Sequence, residues 1–266
     1  MTFPYAALAA ELFNTPLLGH PDKVAVLAQF MAGRQGLNAE VVNRTTEPQA
    51  MTVITETGAV HGWGEPYEVI RGAAIVPVRG SLINNSGSMQ SSSGNLGYDS
   101  VRARLRVAMA DPMVRGIWMP YDSYGGQVAG CFPTANEIRG SSKRSGGKPI
   151  WACVNEHAYS AGYALASQAD VVVGSSTSGV GSIGCVIAHA DYSKALEEDG
   201  VKVTLVQAGA RKTDGNPYQP LPEAVFNRLQ AECEKVRQIF AATVGLAGRI
   251  STAKALAAPA ATRKGV

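Results

Sequence analysis

At 266 residues, with 45% hydrophobic and 17% charged positions, the chain has ample material for a packed core and too little charge for a disordered segment or a charged coiled coil. Its net charge of +3, dispersed along the sequence, excludes a nucleic-acid partner as the expectation. No apolar run approaches the roughly 18 residues a membrane helix needs, and Met1-Thr2-Phe3-Pro4 lacks the basic and apolar regions of a secretory signal.

Taken in chain order, residues 1–40 carry Leu8, Leu12, Val24, Leu27, Ala28 and Met31 at helical spacing, interrupted by Pro16-Leu17-Leu18-Gly19-His20-Pro21. Residues 43–68 are polar and irregular, with Gly58, Gly62, Gly64 and Pro66. Residues 1–68 are therefore expected to form a helical extension and linker, and 69–266 the main domain. From Ala73 to Gly80 an apolar run predicts a buried strand. Residues 84–98 are rich in Ser, Gly and Asn and are expected to be mobile. A helix is predicted near Ser100–Ala110, a strand over Val114–Pro120, a helix near Phe132–Ser141 and a strand over Pro149–Val154. A helix follows at Tyr163–Ala169, strands at Val171–Gly174 and Val201–Val206, and a long amphipathic helix at Glu223–Val244. Strands alternating with helices predict an α/β fold with mostly parallel strands. No Gly-x-Gly-x-x-Gly fingerprint follows an early strand, so a nucleotide site has no support.

The 4 cysteines, Cys131, Cys153, Cys185 and Cys233, are far apart, with no Cys-x-x-Cys. They read as buried small apolar residues in a reducing compartment, with no disulfide framework and no metal. No cofactor is expected.

Gly- and Ser-rich turns flank the predicted strands at Asp122–Gly126, Tyr159–Tyr163, Gly179–Gly184 and Gly209–Asp214. In a parallel sheet such turns gather at one edge, where ligands bind. Ser160 stands between a strand and a helix with small neighbours Ala158, Ala161 and Gly162. It reads either as a helix N-cap or as a nucleophile favoured by the positive helix end. Gly-x-Ser-x-Gly is not met, because position 158 is Ala. A nucleophilic serine needs a base. His157 or His189, with Asp170 or Asp191, is one choice. The other is lysine, which accepts a proton only when neutral and so needs a desolvated site. Lys212, in a Gly-rich turn after an apolar run, is that choice, and a solvated surface residue is its ordinary reading.

From Asp111 to Ser251 the sequence resembles the serine peptidases of the signal peptide peptidase A family. The motifs that carry the resemblance are Asp111-Pro112, Asp122-Ser123-Tyr124-Gly125-Gly126, Lys148-Pro149, Ser160-Ala161-Gly162-Tyr163, Gly181-Ser182-Ile183-Gly184, and Ala208-Gly209-Ala210-Arg211-Lys212 with Pro217. Their order and spacing are far more specific than any one of them. The resemblance implies Ser160 as nucleophile, Lys212 as general base and Ser182 as the residue that orients the lysine. It implies an oxyanion hole of backbone N–H groups from Gly125, Gly126 and Ala161, and a ClpP/crotonase-like fold of repeated ββα units. Tyr124 stands where the family has proline, and Ala161 where it has glycine. The first bears on the substrate groove, and the second keeps the needed N–H.

Leu12-Phe13-Asn14-Thr15-Pro16-Leu17-Leu18 and the helical pattern to Arg34 resemble the start of the lambda-type phage head-maturation branch. That branch cleaves scaffold, portal or capsid proteins inside the procapsid, in the host cytoplasm. No scaffold segment follows Val266, so a shortened or processed chain is expected. A ring-like homo-oligomer is expected too, because the arm from Val201 to Pro222 has little apolar content with which to pack on its own domain. Membrane and nucleic acid are not expected partners. The alternatives are a bacterial signal-peptide-degrading peptidase, a catalytically idle assembly protein on the same fold, and a crotonase-type acyl-CoA enzyme.

Overall fold

The computed structural model describes residues 16–19, 67–85 and 94–258. The helices expected within 1–40, the linker over 43–66 and most of the Ser/Gly/Asn-rich stretch lie outside these residues.

Among the described residues a nine-stranded sheet organises the fold. Its strands are β1 (Leu17–Gly19), β2 (Glu68–Ile70), β3 (Ala73–Ile75), β4 (Val78–Ile83), β5 (Asn95–Gly97), β6 (Gly116–Gln127), β7 (Ile150–Tyr159), β8 (Val171–Gly174) and β9 (Gly179–Gly181). The helices are α1 (Tyr98–Ala110), α2 (Cys131–Ser141), α3 (Ala161–Ala166), α4 (Ser193–Glu198), α5 (Glu223–Leu246) and α6 (Thr252–Ala257). β6 is the central strand. One of its edges carries β3 and then β4, both parallel, with β2 antiparallel beyond β3 and β5 parallel beyond β4. The other edge carries β7, also parallel, whose outer edge holds β8 and then β9. Repeated β-α units with parallel strands are thus the architecture, as the alternation of patterns predicts.

Burial alternates along β6, so Ile117, Met119, Tyr121 and Ser123 face inward. Below them pack Leu105 of α1, Ile138 of α2, Leu165 of α3 and Phe240 of α5, all without solvent exposure. On the opposite face Trp118 and Trp151 pair across β6 and β7, their rings stacked with centroids 6.0 Å apart. Truncating Leu165 to alanine in this core should cost about 2–5 kcal/mol.

Several predicted elements differ from the observed ones. The run from Ala73 to Gly80 is two strands, because Pro77 has no N–H to donate to a ladder. β2 begins at Glu68, inside the expected linker, and turns into β3 through Arg71 and Gly72, both at positive φ. β6 does not end at Pro120 but runs through the supposed turn at Asp122–Gly126, because β4 and β7 supply partners on both sides. β7 likewise continues to Tyr159. Val201–Val206 forms no strand, and Val206 is 94% exposed. A strand without a neighbour to bond is not stable. Of the cysteines only Cys131 is buried, and burial pushes its thiol up to about 12; the other three are half-buried, and all are free.

Asp170 ties the far end of the sheet together. Its carboxylate accepts from the backbone N–H groups of Ile150, Lys143 and Arg144, at 2.9, 2.9 and 3.2 Å. Burial alone would raise its pKa, but these donors and the Arg144 guanidinium outweigh burial and hold it below the ordinary carboxylate range. Because the folded-state value is depressed, the stabilisation is complete above the ordinary aspartate range and is lost as pH falls through the folded value. Asp170→Ala should therefore lower stability at neutral pH by about 2–3 kcal/mol, since Ile150 N–H loses its acceptor. Denaturant midpoints of the two proteins should converge in acid.

Candidate active site

Ser160 is placed by three constraints. It ends β7, its N–H donates to the carbonyl of Gly181 at 2.7 Å, and its own carbonyl accepts from Ala164 as α3 begins. The strand-to-helix reversal leaves it at φ 52°, ψ −120°, a conformation that side chains rarely adopt. A strained backbone at such a turn is held only where the surroundings over-determine it. Here they do, because every residue of α3 is buried. Ser160 is fully buried, and its Oγ has no hydrogen-bond partner among the described residues. A buried hydroxyl without a partner is costly. The first-turn N–H groups of α3, Ala161 included, have no carbonyl within the helix to bond.

Ser182 is brought beside Ser160 through β9. Tyr159 pairs with Gly181, and Ser182 follows, buried and at φ 57°. Two non-glycine residues at positive φ thus face the same strand end. The glycine pair arrives from β6. Ser123 Oγ donates to the Gly80 carbonyl at 2.7 Å and accepts from Gly125 N–H at 3.2 Å. A Cβ on Gly162 would stand 3.2 Å from the Ser123 carbonyl, so the start of α3 rests on β6. Gly125 has φ 103°, open to glycine and strained for other residues. The end of β6 is fixed by Tyr98, whose hydroxyl donates to the Gln127 carbonyl at 2.8 Å, and by Gln127 Oε1, which accepts from Asn84 N–H at 2.8 Å.

Ser160, Ser182, Ala161, Gly125 and Gly126 therefore meet at one end of β6, β7 and β9. Among the described residues no hydrogen bond links Lys212 to Ser160. The lysine is exposed in a turn, its N–H donating to the Gly209 carbonyl at 3.2 Å. The stretch from 201 to 222 contains neither helix nor strand.

Of the histidine alternatives, a set that joins Ser160 to Asp170 finds no support in the geometry. Asp170 is bound at the start of β7 and Ser160 at its end, about 30 Å of strand apart at 3.3 Å per residue. His157 instead packs its ring against Tyr124 and Tyr159, at centroid distances of 4.5 and 5.5 Å. This aromatic group is a feature sequence reading missed, as is the role of Ser123. The signal for Ser123 was its in-facing register on β6. Asp191 accepts from Ser193 N–H at the start of α4. A groove of about 600 Å³ opens directly after Ser182, from Ile183 and Cys185 to Cys233 and Arg237. Among the described residues no group of three or more His, Cys, Asp or Glu is placed to hold a metal, and no helix is long and apolar enough to cross a membrane.

A buried serine held in a strained strand-to-helix turn, with glycine backbone beside it, is the centre of the candidate site. Residues 142–263 match peptidase family S49. The chain is 37% identical over 243 residues to the capsid assembly protease C of Escherichia phage lambda, covering 89% of this chain and 55% of that protein. It is 35% identical over 244 residues to the head-tail preconnector protein GP5 of Enterobacteria phage P21, covering 90% and 48%. Protease 4 of Haemophilus influenzae is 27% identical over 170 residues, 64% of this chain and 26% of that one. The chain belongs to peptidase family S49 and stands closer to the phage head proteins than to protease 4. It spans about half the length of those phage relatives. Among solved structures, a putative enoyl-CoA hydratase/isomerase from Acinetobacter baumannii overlaps 72% of this chain and 89% of its own, at 15% identity and a TM-score of 0.34.

Proposed function

We propose that the protein is a serine endopeptidase of the phage head-maturation kind, working on scaffold, portal or capsid proteins within the procapsid in the host cytoplasm. Ser160 Oγ attacks the scissile carbonyl, and Lys212 takes its proton. Ser182 orients the lysine amine. Backbone N–H groups of Ala161 and of the Gly125-Gly126 strand hold the oxyanion. Collapse of the tetrahedral intermediate returns the proton to the leaving amine, and water then releases the acyl group from Ser160 by the same route. The observation that carries this reading is Ser160 itself: buried, in a strained strand-to-helix turn, its Oγ without a partner among the described residues.

Lys212 reaches Ser160 from a neighbouring copy in a ring-like, ClpP-like homo-oligomer. Two facts support this. Lys212 is exposed in the single chain, and Val201, Val203 and Val206 beside it are exposed with no strand partner among the described residues. A neighbour's surface would cover the valines and keep water from the lysine.

A fluorophosphonate probe tests the nucleophile. Wild-type protein should gain one covalent adduct, on the peptide that contains Ser160, and Ser160→Ala should gain none. An unlabelled Ser160 in the assembled protein would favour the idle assembly protein instead.

A further inference from the structure

β1 lies where an extended peptide would have to lie to reach Ser160. β7 accompanies β6 only as far as the pairing of Ala158 with Ser123, and then turns away through Ser160. The edge of β6 left open beyond that point is taken by Leu17–Gly19, which pair antiparallel with Gln127, Gly126 and Gly125. β4 holds the opposite edge of the same residues, through Ser81 with Gly125 and Leu82 with Gly126. A strand has two edges, so β1 stands on the side of β7 and of Ser160.

Its direction matters as much as its place. From Leu17 to Gly19 the chain runs towards the level of Ser123 and Ala158, two residues short of the nucleophile. A substrate gripped on this edge with the same polarity would present the residues before its scissile bond to the strand and carry the next carbonyl to Ser160. The hydrogen bonds follow a ladder. Val128 N–H donates to the Pro16 carbonyl at 3.3 Å. Antiparallel pairs alternate, so Leu18 and Gly126 form the pair that exchanges both bonds. The N–H of Gly126, one of the proposed oxyanion donors, is thereby engaged by the chain's own Leu18 carbonyl. β1 has three residues and, among the described residues, pairs with β6 alone. So short a two-stranded contact is marginal and can be exchanged.

We infer that the β6 edge at Gly125–Gln127 is the binding site for an extended peptide, and that residues 16–19 are its resident occupant, a self-strand that substrate must displace. The inference rests on Ser160 being the nucleophile for its catalytic meaning, but not for its test. Leu18→Pro removes the N–H that bonds Gly126 and places a ring in the ladder. The probe is a fluorescein-labelled peptide with the sequence of residues 14–20, titrated by anisotropy into Ser160→Ala protein with and without Leu18→Pro. If the self-strand is docked nine tenths of the time, the peptide should bind about tenfold more tightly once it is released. Equal affinity in the two proteins, or no saturable binding to the Leu18→Pro form, overturns the inference. Hydrogen exchange on the Ser160→Ala protein gives a second reading that needs no variant in β1. Saturating peptide should speed exchange of the Leu18 amide, and a Leu18 amide that stays protected overturns the inference equally. Neither measurement needs turnover. Competition between strand and peptide, with Ser160 inert to the fluorophosphonate, would remove the peptidase reading and leave the strand site standing.

Discussion

Ser160→Ala and Lys212→Ala should each lose peptide cleavage by on the order of 10⁴- to 10⁶-fold, with the circular dichroism spectrum unchanged. The nucleophile and its base act as a unit, so the double variant should be scarcely worse than either alone. Mixing the two inactive proteins separates the two places from which the base can come. In a freely exchanging ring made from equal amounts, a site is whole when its serine comes from one variant and its lysine from the other, so about a quarter of wild-type activity should return. A dyad closed within one chain would give none, because every chain lacks one partner. The structure makes the first result the expected one: Ser160 Oγ is buried with no hydrogen-bond partner among the described residues, and Lys212 is exposed. No recovery, with exchange of subunits shown by mass, would place both residues in one chain and require the arm at 201–222 to fold back over Ser160.

How far the sequence could be read depends on the range of the interactions that set each element. α1, α2 and α5 are legible to within a few residues, because helical periodicity is local. The place of Ser160 between a strand and a helix was legible for the same reason. The extent of β6 was not. Gly125 and Gly126 read as a turn from composition, yet β4 and β1 hold them on both edges, and those partners come from distant parts of the chain. Leu17–Gly19 read as a break between helices because Pro16 and Pro21 flank it. Its strand character comes from the edge of β6, which no local signal announces. Val201–Val206 failed in the opposite sense: its β-branched residues suit a strand, and the described residues offer it no neighbour. The site was legible as a set of motifs through the family resemblance. Its assembly, with Gly181 holding Ser160 and Ser123 holding Gly125, was not.

Gly126→Ala should be the most disruptive single-methyl change on the strands around the site. A Cβ at this position would stand 1.8 Å from the carbonyl oxygen of Leu82 and 2.6 Å from its nitrogen. These are backbone atoms of β4, so no side-chain rotation relieves the contact. Leu82 is fully buried in the core, and β4 is held on its other edge by β5. Displacing β4 therefore disturbs packing as well as the ladder. Overpacking of this kind costs about 1–3 kcal/mol or more. In a domain of this size each kcal/mol lowers Tm by about 2–4 °C, so a loss of about 6–12 °C corresponds to the upper figure. Activity should suffer beyond the loss of stability, because the same shift moves the Gly126 N–H at the strand edge facing Ser160. An oxyanion donor moved out of range costs about 10²- to 10³-fold in kcat. Measured well below the lowered Tm, kcat should still fall by that factor. A variant that melts early but keeps wild-type kcat at low temperature would confine Gly126 to the close approach of β4 and β6, and leave the oxyanion to Gly125 and Ala161.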